Sequence, residues 1–254
     1  MGTDVSYANI YSAFLSRDNY SEVFLETISR LSRELNLGSV KSCLMIGAGD
    51  GKHEVPFIKQ CAADISKLIA VEPDHQSAEG LRVRLDKDLP GVDCQAIETR
   101  IQGWKGLDDP VDLVMMMHVF YYIPPSERKE LFKKLQEQWL TTGGFAIVVS
   151  CSRTKCPGNA NEIFERLGTP LTAWEDIESD LLEAGFIRKY AHEMQNMRDY
   201  SNPDESFLFF FQHQMIQLDQ PGVTLDDVRN AMEELYPNGI SDQAFTTFAL
   251  YQRA

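Results

Sequence analysis

The sequence predicts an α/β protein with a mostly parallel sheet, and three observations carry that prediction. From residue 42 to residue 150, short apolar runs alternate with segments of helical periodicity. The apolar runs are continuous, as in strands that are covered by helices on both faces. The chain has 254 residues, of which 43% are hydrophobic, and this suffices for one large domain with a substantial core.

Two helices are expected before the sheet begins. Their apolar residues recur at helical spacing, with Tyr7, Tyr11 and Phe14 in the first helix and Phe24, Ile28 and Leu31 in the second. Residues 16–19 join the two helices, and Leu37-Gly38 ends the second. We therefore assign residues 1–39 to an N-terminal helical unit.

The alternating part of the chain follows in order. Strands are predicted at 42–46, 68–71, 93–97, 113–117 and 145–150, and helices at 54–61, 76–85 and 126–139. Pro125 and an N-cap at Ser126 open the last of these helices, and Gly143-Gly144 turns into the last strand. These elements predict one core domain over residues 40–152.

Beyond residue 150 the pattern loosens. We predict a helix at 172–184 with Gly185 as its stop, then strands at 186–194 and 245–251. Between those strands, Asn202-Pro203-Asp204-Glu205 has the cap, proline and acidic first turn of a helix start. A second helix runs from Thr224 to Leu235, so about 40 residues of helix are predicted between the last two strands.

Charge and composition disfavour several classes of function. The net charge of −14 argues against nucleic acid as a partner, because phosphates would be repelled. No apolar run approaches the ~18 residues that a membrane-spanning helix needs, and the first residues have neither the basic flank nor the apolar stretch of a secretory signal. Five cysteines without a C-x-x-C pair predict buried thiols in a cytoplasmic protein and no metal site.

The turn after the first strand has the composition of a nucleoside-cofactor site. It contains Gly47, Gly49 and Gly51, and Glu72-Pro73 ends the next strand. Glycines let the backbone approach a ligand, and an acid about 20 residues further on can hold a ribose. A dinucleotide fingerprint needs glycine at its sixth position, which is Lys52 here. The G-x-G-x-G spacing favours S-adenosylmethionine, which has no pyrophosphate to place at a helix N-terminus.

Two further loops are expected at carboxyl ends of strands, where open α/β sheets bind ligands. Glu98-Thr99 follows the third strand and would flank the adenine ring. The segment 117–122 (MHVFYY) ends the fourth strand, so His118, Tyr121 and Tyr122 would lie where cofactor and substrate meet. Aromatic faces attract an ammonium group. The alternative for these residues is a hydrogen-bonded core histidine beside packed tyrosines.

Over nearly its whole length, the chain resembles the histamine N-methyltransferase family. The matching segments are 7–15 (YANIYSAFL), 46–49 with Glu54 downstream, 71–73, 98–99, 120–122, 146–152 (AIVVSCS) and the last strand. The resemblance implies a Rossmann-like class I methyltransferase sheet, mostly parallel with an antiparallel last strand, and a small substrate-binding subdomain. It implies N-terminal helices over the substrate site, a cofactor-binding core at 40–152, and substrate-domain segments plus the last two strands at 153–254. The helices inserted between those two strands would form part of a substrate lid.

Individual positions follow from the resemblance. It carries over Gly47, Glu72, Ser77, Arg100 and Met117 as cofactor positions, with Arg100 in place of a small polar residue. Substrate positions that differ from the family are His118 for a glutamine, Tyr20 for a glutamate, with Glu22 close by, and Gln243 or Ala244 for an asparagine. The full set of predicted cofactor-binding residues is Gly47, Gly49, Gly51, Glu72, Pro73, Ser77, Glu98, Thr99 and Met117. The predicted aromatic wall of the substrate site is Tyr7, Tyr11, Phe14, Tyr121, Tyr122, Phe207 and Phe211.

We predict a cytoplasmic, monomeric S-adenosylmethionine-dependent N-methyltransferase for a small amine or imidazole compound. His118, Tyr121 and Tyr122 are the candidate catalytic residues. His118 would orient the acceptor nitrogen or take its proton, because imidazole titrates near neutral pH. The altered substrate positions leave open an imidazole dipeptide or another small metabolite, methylated at nitrogen or oxygen. A ligand-binding protein without catalysis is a further alternative, as is a nicotinamide dehydrogenase, which Lys52 disfavours.

Overall fold

The computed structural model describes residues 7–35, 37–153, 160–218 and 220–254, without the side chains of Ala8 and of residues 241–243. The helices are α1 (Tyr7–Leu15), α2 (Tyr20–Glu34), α3 (Glu54–Cys61), α4 (His75–Asp88), α5 (Pro125–Lys134), α6 (Ala160–Arg166), α7 (Trp174–Glu183), α8 (Glu205–Gln217) and α9 (Leu225–Leu235). The strands are β1 (Ser42–Ile46), β2 (Lys67–Glu72), β3 (Asp93–Glu98), β4 (Val111–Met117), β5 (Leu140–Cys151), β6 (Phe186–Asp199) and β7 (Ile240–Arg253).

These strands form one sheet in the order β3-β2-β1-β4-β5-β7-β6. The first five pair in parallel, whereas β7 is antiparallel to both of its neighbours. The predicted α/β class with an antiparallel last strand is therefore confirmed. Since β6 is antiparallel to β7, it runs in the same direction as β1 to β5. The carboxyl ends of β1, β2, β4, β5 and β6 consequently share one edge of the sheet.

Helices cover both faces of this sheet, which explains the continuous apolar strands. In β1, Cys43 and Met45 contribute to a core shared with α2, α3 and α4, whereas Leu44 and Ile46 contribute to a core shared with α5 and α7. Because successive residues of a strand point to opposite faces, both sets must be apolar. The strands thus lack the polar alternation of a sheet with one solvated face.

A third hydrophobic core lies outside the sheet. The inserted helices α8 and α9 form it together with α1 and α6. Residues 200–239 separate β6 from β7, so helices between the last two strands are confirmed, but only 13 residues in α8 and 11 in α9 are helical rather than about 40. Phe207, Leu208, Phe211 and Met215 of α8 are all fully buried. The two N-terminal helices contribute to different cores, because α2 packs on the sheet and α1 packs on the inserted helices.

Two helix starts differ from the sequence prediction. Ser126 is not an N-cap, because Pro125 occupies the first helical position and Pro124 precedes it as the cap residue. Asp204, rather than Asn202, caps α8, since its carboxylate accepts a hydrogen bond from the Phe207 amide at 2.9 Å. The predicted helix 126–139 ends as an α-helix at Lys134 and continues as a π-helical turn over 135–139.

Other boundaries also shifted, mainly toward longer strands. β6 extends to Asp199, five residues beyond its predicted end, because its whole length pairs with β7. Helix α6 was not predicted. Among the described residues, no helix is long and apolar enough to cross a membrane.

Candidate active site

The glycine turn after β1 contains two kinds of glycine. Gly47, Gly49 and Gly51 all have positive φ, at 65°, 53° and 73°, where side chains are unfavourable. A Cβ at Gly47 would lie 2.4 Å from Val119 Cγ2, and one at Gly51 would lie 2.6 Å from Leu81 Cδ1. At Gly49, an added Cβ meets no described atom within 4 Å. Packing therefore requires two of the glycines, whereas Gly49 faces open space.

Glu72 ties this turn to the end of β2. Its Oε2 accepts a hydrogen bond from the Gly49 amide at 2.8 Å, and its Oε1 accepts one from the Asp74 amide at 2.9 Å. The residue is only 6% exposed. Burial raises the pKa of the Glu72 carboxyl, and the two backbone hydrogen bonds partly offset the rise. Each carboxylate oxygen keeps a second lone pair with which it could accept a ligand hydroxyl.

The loops after β2 and β3 flank the glycine turn. Asp74 caps α4 by accepting from the Ser77 amide at 2.8 Å, and Ser77 is buried. The Thr99 amide donates to the Glu72 carbonyl at 3.2 Å, so the predicted adenine-flanking loop lies beside Glu72. The carboxylate of Glu98 lies 2.8 Å from the Nδ1 atom of His75 and raises the pKa of that exposed imidazole. Met117 is buried in the sheet core, and Arg100 is exposed.

His118 lies at the carboxyl end of β4 with a positive φ of 53°, which is uncommon outside glycine. Its amide donates to the Val149 carbonyl at 2.8 Å, and its Nδ1 lies 3.1 Å from the Tyr121 hydroxyl. Burial, with smaller contributions from His53 and Arg198, lowers the pKa of His118 to about 3. The expectation that His118 titrates near neutral pH is therefore wrong, because its buried imidazole stays neutral. A weak base of this kind can orient a substrate through hydrogen bonds.

The Tyr121 hydroxyl lies between His118 and Cys151. It donates to Cys151 Sγ at 3.2 Å and accepts from the Cys151 amide at 3.1 Å. Its remaining lone pair faces His118 Nδ1, with the Ser150 hydroxyl further away at 3.4 Å. With the hydroxyl proton directed at Cys151, Nδ1 would carry the imidazole proton and Nε2 would be a hydrogen-bond acceptor. Among the described residues, Nε2 is buried without a partner.

Tyr122 links the N-terminal helix to the inserted helices. Its hydroxyl lies 2.5 Å from that of Tyr7 in α1 and accepts from Gln214 Nε2 in α8 at 2.6 Å. Tyr7 stacks on Tyr11 with ring centroids 5.8 Å apart. Burial raises the pKa of Tyr122 to about 12, and the nearby Glu72 carboxylate adds to the rise. Tyr7, Tyr11 and Tyr122 form the tyrosine part of the aromatic wall, and this part therefore adjoins the glycine turn.

The remaining predicted aromatic residues support this wall from behind. Phe207 and Phe211 are fully buried, and Phe14 stacks on Phe210 with ring centroids 3.9 Å apart. Tyr20 stands closer to the candidate catalytic residues, because its ring centroid lies 5.0 Å from that of His118. Gln243 falls within β7, and its side chain lies outside the described residues.

Several polar residues at this edge of the sheet escaped the sequence interpretation. Gln214 lies on the buried face of α8 among phenylalanines, where a lone amide is a weak signal. Asn196 and Arg198 lie on the inward face of β6, and both are buried. Their alternation with exposed residues in 194–199 (MQNMRD) is the pattern of a half-buried strand with polar residues directed inward. Recognising it required knowing that β6 extends beyond Met194.

This fold, with the candidate site at the carboxyl edge of its sheet, is the Rossmann-like class I S-adenosylmethionine-dependent methyltransferase fold. The strand order, the reversed β7 and a glycine turn at the carboxyl end of β1 are all present. The chain therefore has the fold that its sequence predicted. Whether it is a histamine N-methyltransferase-like protein stays a prediction, since likeness of fold does not determine the substrate.

Solved structures of methyltransferases are similar to this chain. An inferred methyltransferase from Bacillus halodurans C-125 superposes with a TM-score of 0.61 at 14% identity, covering 89% of this chain and 98% of that one. An inferred sarcosine dimethylglycine methyltransferase from Galdieria sulphuraria has a TM-score of 0.57 at 12% identity, with coverage of 91% and 86%. The N-methyltransferase NodS from Bradyrhizobium japonicum WM9, solved with S-adenosyl-L-homocysteine, has a TM-score of 0.54 at 14% identity, with coverage of 91% and 87%. No protein-family model and no curated protein matches the chain.

Proposed function

We propose that this protein is an S-adenosylmethionine-dependent N-methyltransferase that acts on a small amine or imidazole compound. The observation that carries the proposal is the Glu72–Gly49 contact. It holds a buried carboxylate beside a backbone position that is open to a ligand. The structural similarity to methyltransferases, one of them an N-methyltransferase, supports the same reaction class.

The residues present fit S-adenosylmethionine. The free lone pairs of Glu72 would accept the ribose hydroxyls, the open space at Gly49 would admit the ligand against the backbone, and Glu98-Thr99 would flank the adenine. When bound, S-adenosylmethionine supplies a methyl group that its sulfonium already activates. The protein therefore has to bind, align and exclude water more than it has to activate.

The residues around His118 supply alignment. His118 Nε2 would accept a hydrogen bond from the N–H of the methyl acceptor and so orient it, since the lowered pKa of His118 makes it a poor proton acceptor. Tyr121 holds the imidazole in the required tautomer through the 3.1 Å contact with Nδ1. Tyr122, fixed by Tyr7 and Gln214, closes the wall against water. The aromatic faces of this wall suit an amine or an imidazole ring.

Glu72→Ala tests the cofactor assignment. Removing a carboxylate that accepts two ribose hydroxyls should weaken S-adenosylhomocysteine binding by about 100-fold, at roughly 1.5 kcal/mol for each hydrogen bond to a charged group. Isothermal titration calorimetry measures the affinity. Glu79→Ala is the matched control, because Glu79 is an exposed carboxylate on the neighbouring helix α4, paired with Arg82. Undiminished binding by Glu72→Ala would contradict the ribose assignment.

Methyl transfer itself needs a separate measurement. Amines and imidazoles are screened by thermal shift in the presence of S-adenosylhomocysteine, and those that raise the melting temperature are assayed for methylation by mass spectrometry. A mass increase of one methyl group at nitrogen is the expected result. Cofactor binding without transfer to any compound would favour a ligand-binding protein on the same fold, and methylation at oxygen would refute the N-methyltransferase assignment.

A further inference from the structure

Four side chains form a polar cluster at the carboxyl edge of the sheet, beside the Tyr121 hydroxyl. They are Tyr20 from α2, His118 from the end of β4, and Asn196 and Arg198 from β6. Tyr20, Asn196 and Arg198 are 3%, 3% and 7% exposed. Among the described residues, no hydrogen-bond partner reaches the Tyr20 hydroxyl, His118 Nε2, either amide atom of Asn196 or Arg198 Nε.

Contacts with each other and with Asp18 hold Tyr20, His118 and Arg198 together. The Tyr20 and His118 ring centroids are 5.0 Å apart. Asp18 accepts from the Tyr20 amide at 3.1 Å and pairs with the Arg198 guanidinium, which itself lies 4.1 Å from the centroid of the Phe14 ring. Asn196 and Arg198 are both buried, whereas residues 195, 197 and 199 between and beside them are exposed. Asn196 therefore lies on the same buried face of β6 as Arg198, two residues before it.

Buried polar atoms without partners are rare in folded proteins, and each one calls for an explanation. Asn196 is the clearest case here, because neither its donor nor its acceptor atom is used among the described residues. Such groups destabilise the free protein unless a ligand pairs with them. Their location at carboxyl ends of parallel strands is where α/β sheets bind ligands.

Charge restricts what that ligand can be. Asp18 already neutralises Arg198, and both side chains are almost fully buried. A ligand carboxylate would place a second anion beside one buried cation, at a large desolvation cost. The open donors are Asn196 Nδ2 and the Tyr20 hydroxyl, and the open acceptor is Asn196 Oδ1, whereas His118 Nε2 remains for the N–H of the methyl acceptor. An uncharged group with both a carbonyl and an N–H satisfies both kinds, and a carboxamide is the simplest one.

We propose that the polar cluster binds a carboxamide group of the methyl acceptor, so the substrate class is a small amine or imidazole that carries an amide. This inference rests on the proposed function, because it takes the bound molecule to be a methyl acceptor. It deepens that function by naming a second group on the substrate. Asn196 would form two hydrogen bonds with the amide. Its Nδ2 would donate to the ligand carbonyl, and its Oδ1 would accept from the ligand N–H. The aromatic wall would enclose the rest of the molecule.

The test uses pairs of amines that match in size and differ only in the amide. The pairs are glycinamide with isobutylamine, β-alaninamide with isopentylamine, and 4-aminobutanamide with 4-methylpentylamine. Dissociation constants are measured by calorimetry on the full chain, with and without S-adenosylhomocysteine. We expect at least one amide to bind about tenfold or more tightly than its apolar partner, since a site built for hydrogen bonds rejects an analogue without them. Equal or tighter binding of the apolar partner in all three pairs would overturn the proposal.

Asn196→Leu identifies the residues responsible. Leucine keeps the branched shape of asparagine, with two methyl groups in place of the two unpaired polar atoms, so the amide preference should disappear while the urea unfolding midpoint stays equal or rises. Gln195→Ala is the control, because Gln195 is an exposed amide on the opposite face of β6 and should leave the preference intact. An amide preference that survives in Asn196→Leu overturns the assignment. Failure of S-adenosylhomocysteine to bind would instead contradict the proposed function, because amide binding is also measured without it.

Discussion

The clearest test of the glycine turn compares Gly47→Ala with Gly49→Ala. Both positions have positive φ, so each substitution costs about 1–2 kcal/mol of folding free energy from the backbone alone. Only Gly47→Ala adds an overlap, since its Cβ would lie 2.4 Å from Val119 Cγ2 and 2.9 Å from Val119 Cβ. Overpacking of this kind adds about 1–3 kcal/mol. Gly47→Ala should therefore destabilise the protein by about 2–5 kcal/mol, and Gly49→Ala by about 1–2 kcal/mol.

Ligand binding should show the reverse order. At Gly49 the added methyl group enters the open space beside Glu72, so it should exclude S-adenosylhomocysteine from the backbone. In Gly47→Ala the added methyl group is directed at Val119. The folded fraction of this variant should therefore bind S-adenosylhomocysteine more tightly than Gly49→Ala does. Urea denaturation measures the free energies of unfolding, and calorimetry measures S-adenosylhomocysteine affinity.

A double variant separates the two costs at Gly47. Val119→Ala removes the closest atom, so Gly47→Ala/Val119→Ala should be more stable than the sum of the single changes predicts. Two results would refute the reasoning: equal destabilisation by the two glycine substitutions, or wild-type S-adenosylhomocysteine affinity in Gly49→Ala. The first would mean that packing at Val119 relaxes freely, and the second that Gly49 does not face the ligand.

Two further predictions concern titratable residues. His118→Ala should lower the methylation turnover at least tenfold while S-adenosylhomocysteine affinity stays within about twofold, because His118 orients the acceptor; unchanged turnover would remove it from the mechanism. Burial raises the pKa of Glu54 to about 8, above its usual value of 4.5. The folded state thus binds a proton more tightly than the unfolded state, and stability is lost as pH rises from about 4.5 to 8. Glu54→Gln should abolish this loss of stability, measured by urea unfolding at pH 5 and pH 8.5. If stability falls equally with pH in the wild-type protein and in Glu54→Gln, the raised pKa of Glu54 is excluded as the cause.

Much of the architecture could be predicted because its signals are local. β1 and α3 have the predicted bounds, since an apolar run ends in glycines and an amphipathic segment follows. Helix α9 begins after Thr224, whose hydroxyl accepts from the Asp227 amide at 3.2 Å as a capping residue does. The start of α8 was misplaced by two residues because Asn202 and Asp204 both suit a cap, and only the fold selects between them.

The arrangement of the candidate site could be predicted only where strand pairing fixes it. Gly49 and Glu72 lie in contact although 23 positions separate them, because parallel β1 and β2 bring their carboxyl ends together. The protonation of His118 could not be predicted, since its pKa depends on burial by segments far away in the chain. Asn196 and Arg198 were missed because their strand is longer than its apolar pattern indicates.

By itself, the sequence determined the α/β class, the position of the glycine turn and the presence of helices between the last two strands. Periodicity, caps and glycines express local conformational preference, which survives without tertiary contacts. Only the tertiary structure decided which glycine is open, that His118 is neutral, and that β6 contributes polar groups beside Tyr20. These properties depend on the distance between residues remote in sequence and on how much water their contacts exclude, and neither quantity is local to any segment.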